Sequence, residues 1–420
     1  MISSINSQPE TCDIFCAVVD NYGDIGVSWR LARKLASEHG IGVRLWVDDL
    51  RSFAKLCSEV DVARDEQHCR GVEVRRWDKD FPEVTPADLV IEAFACKLPE
   101  SYVEAMAVRE HKPVWLNLEY LSAEDWVAGC HKLPSPHVRL LLTKYFFFPG
   151  FTPDTGGLLL ERGLLERRDA FQADLAAQQA YWRSIGVQER VAGELRVSLF
   201  SYENDAVAGL LRAWEQGATT VVCCVPEGRV LPQVAAFFGE AMGVEVKAAS
   251  LDTTRDARHS GRTGGESNLA DKAGATWQRG NLRVHVLPFV EQERYDELLW
   301  ACDVNFVRGE DSCVRAQWAG KPFVWHIYPQ HDGVHMAKLH ALSTLYGAGL
   351  PARVSQANKN LWQAWNGEGD IASSWQAFDA QRAELERHAP AWSAQLAGNS
   401  LALNLLDFFR EVGRIRAFEI

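Results

Sequence analysis

The sequence predicts an α/β protein built of two Rossmann-like halves, each a mostly parallel, doubly wound sheet. Three observations carry that prediction. Short apolar runs alternate with stretches of helical period along nearly the whole chain. A strand–turn–helix unit opens it at residues 12–36, CDIFCAVVDNYGDIGVSWRLARKLA. A second unit of the same kind stands far downstream at 304–325, VNFVRGEDSCVRAQWAGKPFVW.

Taken in order, strands are expected in the first half near 13–19, 42–47, 72–76, 88–92, 113–117 and 138–143, with helices between several of them. A loop rich in aromatics and glycine follows, FFFPGF at 146–151 and TGG at 155–157. One long helix, from about Leu165 to Ile185 and closed by Gly186, then bridges to the second half. There strands are expected near 195–200, 219–224, 243–248, 282–287, 303–307 and 322–326. The last helix, about Asn399 to Ile415, is amphipathic. The domains are therefore expected at 1–185, with its bridging helix, and 186–395, followed by a closing helix in 396–420. Residues 249–280 are almost devoid of apolar side chains and longer than an ordinary connection. They predict a polar surface insertion, with contact to a partner as the alternative reading.

Composition narrows the function classes. The chain has 420 residues, 47% of them hydrophobic, enough for two separate cores. A formal charge of −12 argues against nucleic acid and anionic membranes as partners and suits a basic one. No apolar run approaches the ~20 residues of a membrane span. The start, MISSINSQPETCD, lacks the basic and apolar regions of a signal peptide, so a cytoplasmic location is expected. Ten cysteines without a C-x-x-C pair, several inside apolar strands, read as reduced, buried thiols. His326, His331, His335 and His340 recur every four or five residues, but no H-E-x-x-H pattern completes them and no metal is expected.

The two strand–turn–helix units carry the candidate chemistry. In the downstream one, strand Val304–Val307 leads to Arg308, Gly309, Glu310 and Asp311, and Ser312 is expected to cap a helix that Gly320 ends. A helix N-terminus binds phosphate. Two acids beside it suit a sugar diphosphate, because carboxylates also hold sugar hydroxyls. In the upstream unit, Asp20, Asn21, Tyr22, Gly23 and Asp24 form the turn, and the G-x-G-x-x-G fingerprint is absent. Asp20 and Asp24 stand where that fingerprint has glycine, which points to a cation or a hydroxyl. Asn117 and Glu119, just past the strand ending at Leu116, are expected to face the same cleft as Asp20; a solvated loop acid is the equal alternative for Glu119. Phe289 ends a strand in LPFVEQ, where its ring is either core packing, the reading position alone favours, or a platform for a base. Phe200 and Tyr202 flank the strand end in LFSYEN. The Tyr202 hydroxyl can reach a diphosphate oxygen, or the residue is a half-buried interface tyrosine.

Together these segments resemble the EarP family of bacterial protein-arginine rhamnosyltransferases, which modify translation elongation factor P. The resemblance rests on DIFCAVVDNYGDIGVSWRLARKLA at 13–36, LNLEYLSAEDW at 116–126, SLFSYEN at 198–204 and the run from LPFVEQ at 287 to WHIYPQ at 330. Residues 249–280 depart from the family in length and polarity. The resemblance implies a GT-B glycosyltransferase, two Rossmann-like domains facing a cleft. The first domain binds the acceptor, the second binds the nucleotide sugar, and the last helix returns to the first. It implies inverting, metal-independent transfer of L-rhamnose from dTDP-β-L-rhamnose to an arginine of elongation factor P, which activates that factor for polyproline stretches, with no cofactor. On this basis Asp20 is the expected general base, with Asp24 and Glu310 supporting catalysis. Phe200, Tyr202, Phe289 (on thymine), Gln292, Arg308, Glu310, Asp311 and Ser312 are expected to bind the donor. Asn21, Tyr22, Gly23, Asn117 and Glu119 are acceptor-side candidates. Two other readings stay open: a GT-B enzyme with a different nucleotide sugar or acceptor, and a catalytically silent binding protein.

Overall fold

The computed structural model describes residues 9–19, 22–239, 274–330 and 333–418. Asp20, Asn21, His331, the strand expected near 243–248 and most of the polar insertion lie outside the described residues.

The first half runs β1 (Thr11–Cys16), α1 (Gly23–His39), β2 (Gly42–Val47), α2 (Leu50–Leu56), β3 (Glu66–Cys69), β4 (Val72–Arg76), β5 (Leu89–Ala93), α3 (Glu100–Val108), β6 (Val114–Leu118), α4 (Trp126–Cys130), β7 (Pro134–Pro136), β8 (Thr143–Phe147), α5 (Leu164–Ala173) and α6 (Leu175–Ser184). The second runs β9 (Leu195–Leu199), α7 (Val207–Gln216), β10 (Val221–Pro226), α8 (Leu231–Gly239), β11 (Thr276–Arg279), β12 (Leu282–Leu287), α9 (Gln292–Ala301), β13 (Val304–Arg308), α10 (Asp311–Ala319), β14 (Phe323–His326), α11 (Val334–Tyr346), α12 (Ala352–Trp365), α13 (Ile371–Asp379), α14 (Arg382–Leu396) and α15 (Leu401–Phe418).

Strands β1–β8 form one sheet in the order β3-β4-β2-β1-β5-β6-β8-β7, and β9–β14 another in the order β11-β12-β10-β9-β13-β14. The inner pairings are parallel, and the antiparallel pairs β3/β4, β7/β8 and β11/β12 lie at sheet edges. In each sheet the winding reverses beside the first strand: β2 and β5 flank β1, and β10 and β13 flank β9. The carboxyl ends of strands at such a reversal form the crevice in which α/β sheets bind ligands. Val19 and Gly23, which follow β1, and Gly309 and Glu310, which follow β13, line one cavity.

Two expectations are corrected. The strand expected at 138–143 is instead β8, at Thr143–Phe147. Residues 138–142 form a loop in which Val138 and Leu141 are 93% and 92% exposed, and His137 Nδ1 accepts from the Arg139 and Leu140 amides. An apolar run without a pairing partner does not make a strand. The bridging helix is two helices, α5 and α6. Asp174 breaks it by leaving helical geometry, and its carboxylate accepts from the Ala176 and Ala177 amides as an N-cap.

The chain then returns. Leu401, Leu405, Leu406, Phe408 and Val412 of α15 pack into the core of the first sheet. The crossing is close: Leu158 bridges Ser400, and Gly157 has φ +77. A Cβ at Gly157 would lie 2.3 Å from the Asn399 carbonyl, so only glycine fits. All ten cysteines are free; burial raises the thiols of Cys16, Cys223 and Cys302 well above their ordinary range. Among the described residues no helix is long and apolar enough to cross a membrane.

Candidate active site

A cavity lies between α1 of the first half and α9 and α10 of the second. Phe200, Tyr202, Phe289, Gln292, Arg308, Asp311 and Ser312 line it, joined by Tyr295 and Arg315 and, from the first half, by Tyr22, Gly23 and Leu56. The expected donor residues other than Glu310 thus converge here, and Tyr22, expected on the acceptor side, joins them. Gly23 and Gly309 also line an adjoining cavity with Asp24, Phe94, Tyr120, Glu310, Trp325, Tyr328 and Lys338.

The α10 start differs from the expected cap. Gly309, at φ +59, reverses the chain, and the helix begins at Asp311, with Glu310 at the cap position making no side-chain cap bond. Ser312 is the second helical residue. Its hydroxyl accepts from the Arg308 amide at 3.0 Å and donates to the Arg308 carbonyl, tying strand end to helix start. The Arg308 guanidinium lies 4.5, 4.7 and 5.9 Å from the ring centres of Phe200, Tyr202 and Tyr22. Cation–π attraction holds it there.

Asp311 anchors a buried ionic chain between the halves. Its Oδ1 accepts from Arg30 Nη1 at 2.8 Å, and its Oδ2 accepts from Arg315 Nε at 2.9 Å and Gln292 Nε2 at 3.0 Å. Arg315 Nη1 continues to both Asp296 oxygens at 2.9 and 2.8 Å. Arg30 continues to Glu161 at 2.6 and 2.8 Å and to the Leu159 carbonyl at 3.2 Å. Burial opposes ionisation of Asp311, but Arg315 and then Arg30 hold its pKa below the usual value. Burial pushes Asp296 up to about 6 even with Arg315 opposing. The approach of α1 depends on Gly26, where a Cβ would stand 3.2 Å from Gln292 Nε2 and 3.3 Å from Asp311.

Phe289 is partly buried. Its ring centre lies 5.0 Å from that of Tyr22, and it packs on the core of the first half. Gln292 is 5% exposed and its Oε1 is buried without a partner, as is the Tyr295 hydroxyl. Both residues line the cavity.

In the adjoining cavity, Asp24 is the second residue of α1, buried, and accepts the Val19 amide at 2.9 Å. Glu310 Oε2 accepts the Leu121 amide at 3.0 Å, so this carboxylate also reaches across to the first half. Asn117 and Glu119 are not among the residues lining either cavity. Asn117 belongs to a central strand and is 1% exposed; its Oδ1 accepts from the Ala95 amide and its Nδ2 donates to Glu119. Burial raises the Glu119 pKa, with Lys338 opposing. The adjoining cavity is lined in part by the stacked pair Phe94 and Tyr120, ring centres 4.5 Å apart, and by Lys338, whose Nζ lies 5.7 Å from the Tyr120 ring centre. Phe94 and Ala95 both hold φ +56, unusual for residues with a side chain. Of the histidines, His326 is paired with Ser201 at 2.7 Å and burial lowers its pKa to about 3. Among the described residues no group of three or more His, Cys, Asp or Glu is placed to hold a metal ion.

The sequence reading missed Arg30, Tyr295 and Arg315. Arg315 follows Asp311 by four residues and Tyr295 follows Gln292 by three, spacings that share a helix face. Arg30 follows Gly26 by four, but its partner is 281 residues away.

A clasp closes the same interface at its rim. Glu291 accepts from the Ser58 hydroxyl at 2.6 Å and from Arg70 at 2.6 Å, and Glu293 pairs with Arg33 at 2.5 Å. The Ser58 bond, then Arg70, lowers the Glu291 pKa from 4.5 to about 2. A depressed carboxylate pKa contributes stability above its unfolded value and loses it as pH falls through the folded one. The Tm gap between wild type and Glu291→Gln should therefore be present at neutral pH and shrink as pH drops from about 4.5 toward about 2. The stability difference behind that gap should be about 1 kcal/mol, since the pair is partly solvated. A gap constant across that window would show that the clasp does not act through charge.

Comparison with known proteins identifies the lineage. The family model for the elongation factor P (EF-P) rhamnosyltransferase EarP matches residues 12–410. The chain belongs to the EarP family. EarP relatives include the protein-arginine rhamnosyltransferase of Pseudomonas aeruginosa, 47% identical over 95% of this chain and 98% of the relative. That of Pseudomonas putida is 48% identical over the same shares. A solved EarP structure, described for EarP-mediated arginine glycosylation of translation elongation factor EF-P, is 35% identical and covers 96% of this chain and 99% of its own, with TM-score 0.63. The two parallel-rich α/β halves with the site between them form the GT-B glycosyltransferase architecture.

Proposed function

We propose that this EarP-family chain is a protein-arginine rhamnosyltransferase that moves L-rhamnose from dTDP-β-L-rhamnose to an arginine of elongation factor P, with inversion and without metal or cofactor. The observation that carries the reading is the pair of adjoining cavities between the halves. One gathers Phe200, Tyr202, Phe289, Gln292, Arg308 and Ser312, and the next gathers Asp24 and Glu310. The first suits a nucleoside diphosphate: a ring for the base, hydroxyls, a guanidinium and a helix start for the phosphates. The second suits a guanidinium, which carboxylates orient by paired hydrogen bonds. Arginine is a poor nucleophile because its charge is delocalised. Asp20, at the turn that delivers Asp24, accepts the proton as nitrogen bonds to the anomeric carbon. The carbon–oxygen bond to the diphosphate breaks on the opposite face, and dTDP leaves with the electron pair. Glu310 orients the sugar for that in-line attack. The modified factor then serves translation through polyproline stretches in the cytoplasm.

The deciding experiment incubates the protein with elongation factor P and dTDP-β-L-rhamnose and reads intact and peptide mass. One deoxyhexosyl unit on an arginine supports the proposal, and an unmodified factor rejects it. A parallel thermal-shift screen of nucleotide sugars separates dTDP-rhamnose from another donor. Transfer should persist in EDTA, because the phosphate groups are assigned to a helix start and hydroxyls. Loss on chelation, restored by magnesium or manganese, would reassign Glu310 and Asp311 to a metal.

A further inference from the structure

A carboxylate lining a diphosphate cavity repels its ligand, and the repulsion grows as water is excluded. Asp311 lines this one and opens α10. Its charge is compensated, but unevenly. Within the second half Arg315 serves two carboxylates at once, Asp311 at 2.9 Å and Asp296 at 2.8 Å. That set of three carries one excess negative charge. The further cation is Arg30, which comes from α1 across the cleft and donates to the free side of Asp311 at 2.8 Å. Glu161, the other partner of Arg30, does not line the cavity, so the guanidinium stands between the two acids. Gly26 permits the approach, because a side chain there would press on both Gln292 and Asp311.

We propose that Arg30 is a positioning residue for the donor: by holding Asp311 from the opposite half, it makes the cavity electrostatically acceptable to a diphosphate only when the two halves are together. This rests on the reading of that cavity as a nucleoside-diphosphate site. It carries a specific corollary. Binding of the uncharged nucleoside rests mainly on Phe289 and should change little without Arg30, whereas binding of the diphosphate should fall.

The test is calorimetric titration of dTDP and of thymidine into the full chain, wild type and variant. In Arg30→Met the dTDP Kd should rise about tenfold or more, with thymidine unchanged within about twofold. Donor KM should rise with it, and kcat at saturating donor should move less. Arg30→Lys, which keeps the charge, should recover most of the loss. Removing one partner of a buried ion set is strongly destabilising. The double variant Arg30→Met, Glu161→Gln removes both charges of one pair and should show the same selective loss in a folded protein. Equal losses for dTDP and thymidine would overturn the proposal and leave Arg30 a packing residue. An unchanged dTDP Kd in the double variant would overturn it as well. A wild-type protein that binds neither compound would overturn the nucleotide reading itself, and the role of Arg30 with it.

Discussion

Replacing Asp20 by Asn is expected to lower the transfer rate by ~10²–10⁴, the usual range for loss of a general base. Affinity for dTDP-β-L-rhamnose should stay nearly unchanged. The reason is where the turn leads. Asp20 lies outside the described residues, but its chain neighbour Val19 and the acid four residues on, Asp24, line the cavity that holds Glu310. The residues assigned to the nucleotide line the adjoining cavity, most of them from the second half. An amide keeps the shape and one acceptor but cannot take the proton that nitrogen sheds as it bonds to carbon. Initial rates at saturating donor, with donor affinity by calorimetry on the same preparation, make the measurement. Near-normal turnover would remove Asp20 from the chemistry and direct attention to Asp24 and Glu310.

Much of the fold was legible because the inner strands are buried on both faces. β1, β5, β6, β9, β10 and β13 read as predominantly apolar runs bounded by turns, and each lies within a few residues of its expected place. The unread strands share a different physics. β3, β7 and β11 are three or four residues long, antiparallel and at sheet edges. Short, half-exposed edges carry no strong pattern, and that brevity protects them from further pairing. The helix break at Asp174 escaped for a related reason: a single cap interrupts a period that continues on both sides. At the site, the motif segments placed Phe200, Phe289, Gln292, Arg308 and Ser312 in one cavity, because each ends a strand or begins a helix at the same crevice. The partners of Asp311 were less visible. Arg315 was within reach of the four-residue rule, but Arg30 depends on how the halves meet, which no local pattern encodes. Asn117, read as lying just past a strand, is inside β6, and its side chain bonds to the Ala95 amide and Glu119.

Phe289→Ala should weaken dTDP binding by about 1–3 kcal/mol, roughly five- to 150-fold, the range for loss of one base–aromatic stack. Turnover at saturating donor should change much less. The structure supplies a competing expectation, because the ring also packs on Tyr22 and on the core of the first half. Deleting a packed phenylalanine costs about 3–5 kcal/mol of stability where the site is fully buried. Phe289 is only partly buried, so the stability loss should be smaller than that. A leucine at the same position separates the two roles. Phe289→Leu keeps most of the apolar contact with the first half but has no flat π face for a base. If the ring is a base platform, the leucine variant melts near wild type and still loses most of the affinity lost by alanine. If the ring is packing between the halves, leucine restores affinity and melting temperature together. Calorimetry with dTDP and thermal melts of the two variants decide it. An unchanged dTDP Kd in Phe289→Leu would return this residue to the core and leave Tyr22, Phe200, Tyr202 and Tyr295 as the remaining rings lining the cavity.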